Sequence, residues 1–156
     1  MMENPGSEDP QQTLVKAEIY KQLVVIWVGI LVGQLILLPV VYFGRPALFT
    51  LEFTQPWWGP TPATTGGFML ASVLLIFFSF AFRKKFQGRA FQDRNPSEAL
   101  NGLVIALVMC EGVSLFGMVL AFAFEYQYFF VWIILGVGAS LFHFPKRDDV
   151  VLPPGV

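Results

Sequence analysis

A single carboxylate, Glu111, sits near the middle of an apolar run, 99–124, that holds no other charged residue. On a helix rising about 1.5 Å per residue, this places it close to the centre of a hydrocarbon core about 30 Å thick. An ionised side chain at that depth costs about 2.5–3.5 kcal/mol on insertion scales, so such a group keeps a proton, takes a cation or finds a partner. Two polar residues are candidates to share the site. Ser114 lies three residues on, on the same helix face, and Gln34 is an amide in the middle of an earlier apolar run. The chemistry on offer is the binding and release of a proton or Na⁺.

The elements that carry these residues read as membrane helices. The chain is 55% hydrophobic and only 13% charged, against about 25% for a soluble domain. Residues 1–12 are polar and proline-bearing and read as a tail; 13–22 favour a helix leading into the membrane. Spans are expected at about 23–43, 64–82, 99–124 and 128–144, in an all-α, four-helix, up-down bundle. Residues 145–156 form a second polar tail. The first span carries Gly29-x-x-x-Gly33, a close-packing motif, and Pro39, which predicts a kink. Trp57 and Trp58, in the long connection after it, suit an aromatic belt at headgroup depth.

Between the second and third spans, 83–98 reads as a basic loop with Arg83, Lys84, Lys85, Arg89 and Arg94. Arg83, Lys84 and Lys85 also suit anionic lipid. Asn95 is the expected N-cap of the third span, with Pro96 at its first position. A turn at Glu125, Tyr126 and Gln127 makes the last two spans a tight hairpin. With four spans, nine of the ten Lys and Arg residues fall on one side and only Arg45 on the other. The excess of basic residues on cytoplasmic loops then predicts both termini and the basic loop inside.

On the third span, Gly102, Ala106, Cys110, Val113, Gly117 and Ala121 form a stripe of small residues suited to helix contact. Glu111 lies well round from it, on a face with Val104, Leu107, Val108, Ser114, Leu115 and Met118, toward lipid or another protein. The small residues 136–140 of the fourth span offer another contact surface. Cys110 reads as a packing residue, His143 as an interfacial one, and Glu125 as a hydrated charge in the external turn.

The segment Glu111-Gly-Val-Ser-Leu-Phe-Gly-Met-Val-Leu-Ala-Phe122 resembles the second helix of the rotary ATP synthase proteolipid, the c subunit. In that family an ion-carrying carboxylate precedes an aromatic–Gly pair. Arg94-Asn95-Pro96 is similar to the family's polar-loop Arg-x-Pro, and the likeness spans about 89–124. It implies that Glu111 is a proton or Na⁺ site and that Arg94, Asn95 and Pro96 touch a soluble partner. The alternating glycines of the family's first helix have no counterpart in 67–82, so no further ion ligand carries over.

Two functions are therefore open: an ion-carrying membrane subunit, as a homo-oligomer or beside other membrane subunits, or a structural subunit of a larger membrane complex. Enzymatic chemistry is not expected, because no nucleophile–base constellation or phosphate-binding glycine loop is present. One Cys and one His argue against a disulfide or a Cys/His zinc site. No cofactor and no nucleic-acid partner is expected.

Overall fold

A computed structural model describes residues 10–50, 56–59 and 61–150, and those residues are helical almost throughout. Four helices follow in order: α1 (Pro10–Gly44), α2 (Pro62–Asp93), α3 (Pro96–Phe124) and α4 (Phe130–Phe142). Short 3-10 turns occupy Pro46–Phe49 and Arg147–Asp149. The first three helices are long and apolar enough to cross a membrane. With 13 residues, α4 is about 20 Å long, shorter than a full span by itself. The expected tail 1–12 lies mostly outside the described residues, and so do 151–156 of the second tail.

Prolines set most of the boundaries. Pro10, Pro62 and Pro96 stand at helix starts, where the missing N–H costs nothing. Pro46 and Pro96 keep the residue before each out of helical conformation: Arg45 and Asn95 have φ −143° and −112°. Pro39, by contrast, lies inside α1, which runs on past it to Gly44. Asn95 caps α3 as expected, its Oδ1 accepting the Ser97 N–H at 3.0 Å.

The basic segment departs from expectation. It is not a loop: α2 continues through Arg83, Lys84, Lys85 and Arg89 to Asp93, 32 residues in all, or about 48 Å. Charge made the segment look irregular, yet Lys, Arg, Gln and Ala are good helix formers and only Gly88 weakens the run. The true corner is two residues, Arg94 and Asn95, with Arg94 in the left-handed region at φ 47°.

α3 is the central element, packed against the other three, while α1 barely touches α2. Gly102 lies under Phe86 and Gly112 near Leu75, so α2 and α3 run antiparallel. Gly117 meets Phe129 and Trp132, and Gly136 meets Ser114 and the Cys110 carbonyl, so α3 and α4 are antiparallel too. Gly33 faces Glu111 and Gly44 faces Phe122, which makes α1 parallel to α3. All six residues of the small stripe on α3 are buried. At Gly117 a methyl group would stand 2.6 Å from the Phe129 carbonyl oxygen, so only glycine permits this approach. Gly29 and Gly138, read as contact glycines, instead face open space.

At one end, Tyr126, Tyr128, Phe129 and Trp132 form an aromatic plug with Val41, Val113 and Leu120. Tyr126 donates its hydroxyl to the Trp57 carbonyl at 2.6 Å, and Gln127 donates its amide to the Thr50 carbonyl at 3.1 Å. Glu125 is not simply hydrated: it pairs with Arg45 at 2.9 Å. At the other end the chain after α4 folds back. Pro145 is buried, and Val150 packs with Leu23 of α1 and Leu103 and Leu107 of α3.

Candidate functional site

Glu111 follows Cys110 on α3 and so stands one step round from the buried stripe. It is half-buried and faces α1: a methyl group on Gly33 would lie 3.9 Å from its Oε1. Gly33 thus leaves space beside the carboxylate. The face assigned to Glu111 is mixed. Val108 and Leu115 are exposed, but Leu107 and Ser114 are fully buried, because α1 and α4 cover that side of α3.

Neither candidate partner hydrogen-bonds to Glu111. Ser114 lies beneath Gly136, and its Oγ donates to the Ile133 carbonyl at 3.5 Å. Gln34 is fully buried and its Nε2 donates to Ser140 Oγ at 2.8 Å. The amide's other end, Oε1, has no hydrogen-bond partner among the described residues. Trp27 adds a second tie to the same turn of α4, its indole N–H donating to the Ser140 carbonyl at 2.8 Å. Gln34 therefore serves as an interhelical bond between α1 and α4.

Arg94, Asn95 and Pro96 sit together at the corner between α2 and α3, at the helix ends remote from the aromatic plug. Arg94 and Asn95 are exposed and Pro96 half-exposed. They are not brought to Glu111, which lies midway along α3.

A polar cluster that the sequence did not single out lies between Gln34 and the α2–C-terminal surface. His143, read as interfacial, is fully buried. Its Nε2 lies 2.9 Å from Ser79 Oγ and its Nδ1 3.2 Å from Arg83 Nη1. A guanidinium only donates, so Nδ1 must carry the lone pair and Nε2 the proton. The Ser79 hydroxyl then accepts from Nε2–H and donates to the Ile76 carbonyl at 2.7 Å. The thiol of Cys110, buried in the α3 stripe, is 3.8 Å from Ser79 Oγ, a weak contact consistent with its packing role. Arg83 Nη2 donates to the Phe144 carbonyl at 3.3 Å and to Asp149 Oδ2 at 3.0 Å. This cluster ties α2, α3, α4 and the C-terminal segment together. Its sequence signal was faint: Ser79 and Ser140 are isolated hydroxyls in apolar runs, and only Ser140 lies close to His143 along the chain.

Compared with models of protein families, with curated proteins and with solved structures, the chain matches none.

Proposed function

We propose that the chain is a four-pass membrane subunit, with both termini and the Arg83–Arg94 side cytoplasmic, whose Glu111 carries a proton or Na⁺ at an interface with another subunit. One observation carries this reading. Ser79, Ser114, Ser140, His143 and one end of Gln34 all bond within the chain, whereas half-buried Glu111 takes no hydrogen bond from any described residue. A carboxylate at mid-membrane that finds nothing inside must be served from outside. A proton, a cation or a facing subunit can do so. Exposed apolar side chains on every helix, among them Val32, Ile36, Val73, Phe77, Val108 and Ile134, give the remaining surface to lipid.

A second reading, a purely structural subunit, draws support from Trp27 and Gln34, which both bind Ser140 and so fasten α1 to α4. The two readings part at Glu111→Gln. Glutamine keeps the shape and an accepting oxygen but cannot release a proton. In liposomes holding the chain with its native partners, the substitution should abolish ion flux and labelling by a hydrophobic carbodiimide, with assembly unchanged. Full flux in the Gln variant sinks the carrier reading and leaves the structural one. Reporters fused after Pro10, near Gln92 and at Val156 should read cytoplasmic, and one near Gly59 external. An external signal at Gln92 overturns the topology.

A further inference from the structure

A cavity of about 320 Å³ opens between α2 and the C-terminal segment, just where α2 changes from apolar to basic. Three sides of it have different chemistry. The floor is Arg83, His143 and Asp149, already bound to one another, so the Asp149 charge is neutralised in place. The polar rim is Lys84, Lys146 and Gln87. Both lysines are exposed, and among the described residues neither ammonium has an anionic partner. The third side is aromatic: Phe80, Phe142 and Phe144, exposed to 44%, 81% and 43%.

We propose that this cavity binds the phosphate headgroup of an anionic phospholipid, held between Lys84 and Lys146, with the acyl chains lying over Phe80 and Phe142. The inference rests on the membrane reading above and on nothing about Glu111. Two unpaired cations from separate parts of the chain converge on one cavity, which fits a compact anion rather than a diffuse surface charge. The aromatic side fits what a soluble anion lacks. It continues along α2 to Phe77, 65% exposed and three residues before Phe80, so a headgroup at the rim would have its tails on apolar surface. The site also differs from the one the sequence suggested. Arg83 is committed to the floor, Lys85 does not line the cavity, and Lys146 does.

The test uses the purified full chain in phosphatidylcholine vesicles, with spin-labelled phosphatidylglycerol and spin-labelled phosphatidylcholine as probes. Wild type should immobilise the anionic probe selectively. Lys84→Gln with Lys146→Gln should cut that selectivity roughly tenfold or more, as two cations at about fivefold each would allow. Lys85→Gln with Arg89→Gln, which removes the same charge from α2 outside the cavity, should leave most of it. Lys84→Arg with Lys146→Arg, which keeps both charges, should retain it, tying the loss to charge. Equal loss in the two glutamine pairs, or no selectivity in wild type, overturns the proposal. So does displacement of the lipid probe by inorganic phosphate, which would mark a site for a soluble anion. Failure of the membrane reading looks different: the chain would be extracted by alkaline carbonate, and neither probe would show an immobilised fraction.

Discussion

The two ends of the helix array are held by different physics. At the Tyr126 end, rings interlock: Tyr126 lies edge-on to Trp132 at 5.5 Å and to Tyr128 at 5.8 Å, and Phe129 meets Phe49 at 5.5 Å. The charged pair there, Arg45–Glu125, is largely exposed and contributes at most about 1 kcal/mol. At the His143 end, cohesion passes through directional bonds among Ser79, His143, Arg83 and Asp149. Shape complementarity tolerates no added volume. A hydrogen-bonded cluster tolerates small shifts but fails when one member is deleted.

The largest effect should therefore come from adding volume near the aromatic end. Gly117→Leu would drive a side chain into the Phe129 carbonyl and Trp132, costing about 1–3 kcal/mol or more. Leu115→Ala, on an exposed face, should cost far less. Thermal unfolding in mild detergent reads both, and equal losses would mean that the faces of α3 are misassigned. Next comes His143→Leu, which strands the Ser79 acceptor and an Arg83 donor for about 1–3 kcal/mol. Trypsin should then cut faster at Lys146 and Arg147, because Arg83 loses one of its anchors to that segment. If His143→Leu proves costlier than Gly117→Leu, the contrast between the ends is reversed.

The smallest effect should be Tyr126→Phe, which removes one hydrogen bond worth about 0.5–1.5 kcal/mol. It also sharpens the contrast through pH. Burial first, and the nearby Tyr128 second, push the Tyr126 hydroxyl from 10.0 up to about 12. Because the folded value lies above the unfolded one, its contribution is complete below pH 10 and is lost as pH rises toward 12. Stability against pH in that window should slope downward in wild type and less steeply in Tyr126→Phe. Identical slopes would remove Tyr126 as the cause.

How much of this could be read in advance depended on whether the signal was local. The cap at Asn95, the start at Pro96 and the α3 stripe follow from one residue type at one spacing, and each stands where expected. The extent of α2 did not, because charge was weighed above helix propensity at Arg83, Lys84 and Lys85. His143 was missed for a different reason. Its partners come from α2 and from beyond α4, and no spacing along the chain brings Ser79 and Arg83 to it. For Glu111 the place midway along a long apolar helix was legible and the surroundings were not. Gly33 beside it comes from α1, and the amide of Gln34, assigned to it from polarity and position in the span, is engaged by Ser140.

The contact pattern of α1 has a consequence for the order of events during synthesis. This helix leaves the ribosome before the other three, yet it barely touches α2, and it packs on α3, α4 and Val150. A hairpin of α2 and α3, joined by two residues, can close as soon as both are inserted. Until α4 arrives, Gln34 has no Ser140 to bind and Trp27 has no carbonyl to reach. α1 must wait, its amide facing lipid, until α4 has been made. A nascent chain arrested before Ser140 should thus expose α1 to cross-linking by neighbouring membrane proteins, and release of the full chain should end that exposure.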